Sequence, residues 1–443
     1  MASARQPEHP SRPEVWGGVE CSFLEVDGWL CDQVGLTGHA SRPDDLDRIA
    51  DLGVRAVRYP VLWGRTSGTT ATDWEWADAR LTRLRSLGIR PIVGLLHHGF
   101  GRIGIDPLDP EYPSRFANYA TQVAERFPWV DTFIPVNEPL TTARFGALYG
   151  WWPPYARDHP TFIRLLVSEC LAFRAATKAF RTVRSDVSII VTEDAGRTYG
   201  TQPLASVVEH DDLRRWLTFD LLMGKVDRRH RLWSYMTWVA PDMSYALDDL
   251  AADPASPDVL GLNRYITSDR FLDHRVELYP AAFRGGGGGL TYADVEAVRV
   301  GDHEPASFID GIRETWQRYG RPIALTEVQL AGAPQDQIAW WTEAWRDANR
   351  ANDEGIPVRA VTAWALFGSW EWDSVLRRPR GRYEVGCFDA RDGTPRAAPL
   401  AAAVARTAMR GDPGDGEPGW WRTPRRVAYA VAASDSEGRL DAA

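Results

Sequence analysis

The amino-acid sequence predicts a (β/α)8 TIM barrel, an α/β fold in a single domain. Short apolar runs alternate with longer amphipathic segments from about residue 15 to residue 405, the pattern of repeated strand-plus-helix units. There are eight such runs, and they are continuously apolar, as strands of a parallel sheet covered by helices must be. The rival architecture, an open doubly wound sheet, lacks its signature, because no GxGxxG follows an early strand and opens a helix.

In chain order the strands are VWGGVE (15–20), VRAVRY (54–59), IRPIVGLL (89–96), DTFIPVN (131–137), VSIIVTE (187–193), PDVLGLN (257–263), RPIALTE (321–327) and VRAVTAWAL (358–366). Between them lie helical stretches such as RPDDLDRIADLG, WADARLTRLRSLG and SRFANYATQVAERF. Each starts near a Ser, Asp or Pro, and the first two end at a Gly just before the next strand. The run GGGGG at 285–289 reads as a mobile rim loop between strands six and seven. These boundaries divide the chain into a disordered N-terminus (1–13), the barrel (14–409) and a loosely ordered C-terminal tail (410–443), which Trp420 and Trp421 offer to dock.

Hydrophobic residues at 44% and charged residues at 25% leave enough apolar surface for a large buried core. Lys and Arg total 51 against 60 Asp and Glu, a formal charge of -9. The basic residues are scattered, which argues against nucleic acid as a partner. The N-terminus has no apolar h-region, and no stretch approaches the roughly 18 apolar residues of a membrane span. Cys21, Cys31, Cys170 and Cys387 form neither a CxxC pair nor a zinc spacing. They read as free thiols in a reducing cytoplasm. The twenty tryptophans serve packing for the most part, and their flat faces also suit sugar rings.

Catalytic groups of such barrels stand at the C-terminal ends of strands. Glu138 ends strand four and Glu327 ends strand seven, so both reach the same mouth. Glycoside hydrolysis needs two carboxyls there: one protonates the leaving oxygen, and the other attacks the anomeric carbon or activates water. A separation of roughly 5 to 5.5 Å predicts retention, and roughly 6.5 to 9.5 Å inversion. Glu20 and Glu193 also end apparent strands, one and five. His97 and His98 stand side by side, but neighbours on a strand point to opposite faces, so no metal site is expected.

The segment VDTFIPVNEPLTTARFGALYGWWPP resembles the N-E-P segment of family 1 glycoside hydrolases, the retaining β-glucosidase-like enzymes. RPIALTEVQLAG is similar to the family's P-I-x-I-T-E-N-G strand. A lone N-E-P is weak, but the ordered series is specific. LGVRAVRYPVLWGR resembles the family's second strand, GIRPIVGLLHHGF its third, PDVLGLNRYIT its sixth and AWALFGSWEWDS its W-S-L-x-D-N-F-E-W segment. The resemblance covers about 390 residues.

It implies Glu138 as general acid/base and Glu327 as nucleophile. Arg58 matches the arginine at the nucleophile, Tyr265 the tyrosine beside it, and His97 the histidine that bonds a sugar hydroxyl. Asn137 matches a partner of the 2-hydroxyl, Trp364 a sugar-contacting tryptophan, and Glu371 with Trp372 the glycone-site pair. Physically, Arg58 is expected to hold Glu327 ionised by depressing its pKa. The field of Glu327 and desolvation are expected to keep Glu138 protonated. No cofactor is implied, and the partner is a small-molecule glycoside or oligosaccharide.

The chain departs from the pattern where the glycone is read. Strand one, VECSFLEVDG, has no Gln, and the Trp of H-W-D is His98. Gly368 and Ser369 replace Asp-Asn, Arg264 replaces the first tyrosine, and Val328-Gln329 replace N-G. The reaction type implied is retaining β-glycosidase chemistry with an unassigned sugar. The sequence leaves open transfer to an acceptor other than water, and a non-catalytic sugar-binding barrel.

Overall fold

A computed structural model describes residues 12–66, 71–101, 105–287, 289–301 and 303–423 of the chain. Eight parallel strands close into a barrel. They are β1 (Glu14–Gly18), β2 (Ala56–Pro60), β3 (Arg90–His97), β4 (Thr132–Asn137), β5 (Ser188–Glu193), β6 (Val259–Arg264), β7 (Ile323–Val328) and β8 (Val358–Ala363). Each pairs with its sequence neighbours, and β1 closes the ring by pairing with both β2 and β8. All eight runs identified in the sequence are therefore strands. The eighth stops at Ala363, so Trp364 lies just past the strand end, and Glu20 lies two residues past β1.

Helices cover the outside, among them Asp45–Asp51, Tyr112–Arg126, His159–Val183, Phe308–Tyr319, Pro334–Asp353 and Pro399–Arg410. Their ends follow local chemistry. The Asp158 side chain accepts from the Thr161 amide, and Ser307 with Asp310 forms a reciprocal capping box. Gly53 and Gly88 take φ of 74° and 72°, the left-handed turn that returns the chain from helix to strand. No helix among the described residues is long and apolar enough to cross a membrane.

One layer of the interior draws a side chain from every strand. Trp16, Ala56, Ile92, Ile134, Ile190, Val259, Ala324 and Ala360 form a separate buried cluster, set toward the N-terminal ends of the strands. Around the ring Trp16 stands between Ala360 and Ala56, so the largest side chain is flanked by two of the smallest. The opposite arc is filled by isoleucines and a valine. This complementarity fills the barrel as a core rather than leaving a channel.

Two parts of the chain differ from the sequence reading. Gly285–Gly287, expected in a mobile loop, belong to the strand Arg284–Gly287, which pairs antiparallel with Leu290–Glu296. That hairpin joins Arg270–Asp273 and Thr198–Gly200 in a small sheet beside the barrel mouth. Backbone pairing needs no side chain, so a glycine run serves as a strand once a partner is supplied. Residues 411–423, read as a loose tail that Trp420 and Trp421 offer to dock, are packed down along their length: Trp345 donates to the Gly411 carbonyl at 3.2 Å, and Trp421 is buried. Residues 1–11 and 424–443, expected to be disordered and loosely ordered, lie outside the described residues.

Shortening one member of the interior layer leaves a cavity between strands that cannot close over it. The substitution Ile134→Ala should therefore cost about 2–5 kcal/mol. In urea unfolding it should lower the midpoint with the slope preserved; an unmoved midpoint would mean that the layer is not tightly packed.

Candidate active site

Glu138, Glu327, His97, Asn137 and Tyr265 stand at or next to strand ends and Arg58 stands within β2, and the geometry joins most of them in one hydrogen-bonded network. Arg58, from β2, is 4% exposed. Its Nη1 donates to Glu327 Oε1 at 2.8 Å and to the Thr326 carbonyl at 2.6 Å. Its Nη2 donates to Asn137 Oδ1 at 2.8 Å. The second Glu327 oxygen accepts from the Tyr265 hydroxyl. Both carboxylate oxygens are thus held, with one charged donor and one neutral donor.

Glu138 has different company. It follows β4 with φ of 51°, a left-handed residue that turns the side chain into the mouth before the short helix Pro139–Ala143 begins. Asn263 Nδ2 donates to its Oε1 at 2.6 Å, and Thr326 Oγ1 fixes Asn263 in turn at 2.7 Å. His98 Nε2 lies 3.8 Å from the other oxygen. Glu193, at the end of β5, underpins the turn: it accepts from the Leu140 amide at 2.9 Å, the Thr141 amide at 3.3 Å and the Thr218 hydroxyl at 2.7 Å. Glu193 is accordingly spent on the backbone that carries Glu138, and it does not line the cavity.

Burial pushes the Glu138 carboxyl well above the usual range, and the charges of Glu327, Glu193 and Asp194 push it further, against the pull of the Asn263 hydrogen bond. Glu327 is pushed up to about 7 by burial, although Arg58 and Tyr265 hold it down. This corrects the expectation that Arg58 depresses Glu327 below its ordinary value. Both groups have almost no contact with water, and desolvation outweighs the ion pair. Their neighbours act in opposite senses: acidic groups push Glu138 further up, whereas Arg58 and Tyr265 draw Glu327 down.

Asn137 Oδ1 takes three donors, Arg58, Thr192 Oγ1 at 2.7 Å and Asn263 at 3.4 Å. Its Nδ2 lies 3.3 Å from His97 Nε2. Burial lowers the pKa of His97 well below the ordinary value, with His98 and Arg58 adding to the effect, so the ring is neutral and Nε2 accepts from Asn137. Trp364 is stacked on His97, ring centroids 5.4 Å apart and 7° from parallel, with the Arg58 guanidinium 4.5 Å from the indole. His98 is not on the opposite face from His97. The strand stops at His97, His98 takes φ of 51°, and the two rings meet edge to face at 4.9 Å. Among the described residues no group of three or more His, Cys, Asp or Glu is arranged to hold a metal ion.

A cavity of about 690 Å³ opens over this network, lined by Glu138, Glu327, Tyr265, Trp364 and Trp372 among others. Glu371 is not among the lining residues. Its own left-handed backbone (φ 65°) turns its carboxylate into the adjoining loop, where it accepts from the Arg380 amide at 2.5 Å and the Gly381 amide at 2.7 Å. Glu384 lines the cavity instead, held by Gln329 Nε2 at 2.9 Å and pushed up to about 7 by burial and by the charges of Glu20 and Asp373. Glu20 is 2% exposed and accepts from the Ser22 amide at 2.9 Å and hydroxyl at 2.5 Å. Sequence reasoning missed Glu384, Asn263 and Gln329. Asn263 closes strand six in the same way that Glu138 follows strand four, so its strand-end position was the available signal. Glu384 sits in a two-residue strand that no periodicity reveals.

Three comparisons agree with this arrangement. Residues 27–396 match the model of Glycosyl hydrolase family 1. Beta-glucosidase 47 of Arabidopsis thaliana is 24% identical over 84% of this chain and 77% of its own length. The bifunctional beta-D-glucosidase/beta-D-fucosidase of Bifidobacterium breve is 26% identical over 74% and 78%. In structure, the family 1 β-glucosidase of Thermotoga maritima superposes with a TM-score of 0.70 at 18% identity, covering 92% of this chain and 99% of that one. Its complex with cyclophellitol gives a TM-score of 0.70 at 19% identity. With a family match that spans residues 27–396, the chain belongs to glycosyl hydrolase family 1, whose members are glycoside hydrolases acting on O-glycosidic bonds.

Proposed function

We propose that this protein is a retaining β-glycosidase working by double displacement through a glycosyl-enzyme intermediate on Glu327. One observation carries the reading: two buried carboxyls face one cavity with opposite partners, an amide on Glu138 and a guanidinium with a phenol on Glu327. The first pairing tolerates a proton, and the second favours its loss.

In the first step the Glu327 carboxylate attacks the anomeric carbon while the glycosidic C–O bond breaks. Glu138 delivers its proton to the departing oxygen. The ester so formed carries no charge, which removes the largest neighbouring charge acting on Glu138. Glu138, left as a carboxylate by the proton transfer, takes a proton from water, and the hydroxide attacks the same carbon and frees Glu327. Tyr265 and Arg58 receive the returning carboxylate. In this reading Asn137 Nδ2 bonds the 2-hydroxyl, and Trp364 and Trp372, which line the cavity, pack against the sugar. Transfer to an alcohol in place of water is the second reading, favoured by the apolar rim formed by Ile266, Val298 and Leu330. Product analysis with added alcohols separates the two. The four cysteines are buried and free, which fits a reducing, cytoplasmic setting.

The β-glucosidase names of the relatives make β-glucosides the first substrates to try. Proton NMR of the first-formed sugar should show the β-anomer; an α-anomer would overturn double displacement. The substitution Glu138→Gln should lower kcat by about 10²–10⁴-fold, least for glycosides with good leaving groups, and Glu327→Gln should abolish labelling by a fluorosugar. Activity requires Glu327 ionised and Glu138 protonated. The kcat/KM profile should therefore fall as pH drops through about 7. In Arg58→Met the charge that lowers the Glu327 pKa is gone, so the acid limb should move to higher pH. An acid limb near the ordinary glutamate value of about 4.3 in the wild type would contradict the desolvated site.

A further inference from the structure

Trp420 belongs to none of the features described so far. It lies beyond residue 396, where the family match ends, yet its indole lines the catalytic cavity. The segment that carries it is pinned. Trp421 donates to Glu343 Oε2 at 2.9 Å and meets Trp340 edge to face at 5.2 Å. Arg422 pairs with Glu343 at 2.5 Å and donates to the carbonyls of Pro305 and Ala306. One short helical turn, Trp420–Arg422, is thus clamped to the helix Pro334–Asp353 on one side and to the loop before Phe308–Tyr319 on the other. Trp420, half-buried in this turn, borders the cavity at the barrel mouth.

The position along the cavity fixes what Trp420 can touch. Glu138, Glu327 and Trp364 stand at or next to strand ends and make the floor. Ile266, Val298, Leu330 and Trp420 stand on segments beyond the strand ends and make the rim. A sugar whose anomeric carbon reaches Glu327 occupies the floor, so the group beyond the glycosidic oxygen projects to the rim. There the Arg299 guanidinium lies 4.9 Å from the Trp420 ring, itself paired with Glu296 at 3.2 Å. Arginine stacked on tryptophan forms a broad flat platform, apolar on its faces and polar only at its edges.

We propose that the C-terminal segment supplies the aglycone subsite, with Trp420 as its platform, and that the leaving group of the natural substrate is a flat, apolar ring system. This rests on the glycosidase reading above for the orientation of the substrate. An aryl group stacked on indole gains affinity that a small leaving group cannot, so recognition is expressed as a ratio between substrates that share one sugar.

The test compares wild type, Trp420→Ala and Trp420→Phe on methylumbelliferyl β-glucoside and β-glucosyl fluoride. The ratio of kcat/KM, aryl over fluoride, should fall about tenfold in Trp420→Ala, carried by KM, and recover in part in Trp420→Phe, which keeps a ring. An unchanged ratio, or an equal loss on both substrates, overturns the subsite. A second arm needs no turnover: calorimetric titration with a methylumbelliferyl thioglucoside and with methyl thioglucoside should show about tenfold weaker binding of the aryl compound alone in Trp420→Ala. Equal affinities of wild type and variant for the aryl compound would likewise overturn it. If wild type cleaves neither substrate, the hydrolase reading fails while the titration still decides the role of Trp420. Because Trp421 and Arg422 keep the anchor, thermal melting should show all three proteins folded; a collapsed Trp420→Ala shifts the decision to Trp420→Leu, for which the roughly tenfold fall in ratio is expected, against the smaller fall in Trp420→Phe.

Discussion

The site hangs on one buried guanidinium. Arg58 leaves β2 and reaches the carboxylate on β7 and the amide oxygen at the end of β4, so three strands that share no single ladder are tied at their C-terminal ends. Its charge is also what allows a glutamate to be ionised in a place almost without water. Replacing such a cation by an apolar group would leave an uncompensated carboxylate, which is why breaking a buried pair costs more than the pair contributes. Arginine rather than lysine suits the place, because a planar fork addresses two acceptors in fixed directions at once.

Around that centre, burial dominates the electrostatics. Every carboxyl near the mouth with a resolved shift, Glu20, Glu138, Asp194, Glu327 and Glu384, is pushed upward by desolvation before any neighbour acts. Neighbours then set the order. A guanidinium and a phenol lower Glu327, whereas Glu138 has one amide donor against three acidic neighbours. The difference in role between two chemically identical side chains is thus written in their partners, several of which stand on other strands.

The barrel was legible because its signal is repetitive: eight apolar runs at regular spacing outweigh local ambiguity at any one of them. The strand-end glutamates were legible because strand order alone brings the ends of strands four and seven to one mouth, and Arg58 and Tyr265 were legible through the motifs that carry them. What failed to show was whatever depended on backbone leaving the strand. His98 and Glu371 both take left-handed backbone, and in each the period-2 or motif-based expectation of side-chain direction breaks down. Glu371 is thereby diverted to backbone amides, and Glu384 occupies the cavity wall. The glycine hairpin escaped for a related reason, since its order comes from a partner strand and not from its own side chains.

The layer that Trp16 shares with seven other strand residues has a consequence for how substrates are consumed. It stoppers the barrel beneath the catalytic carboxyls, so a sugar resting on Trp364 has no room to continue downward. A polymer cannot thread along the barrel axis, so whatever reaches Glu327 arrives from the mouth. The freed sugar must then back out through the opening it entered, after its former partner has vacated the rim.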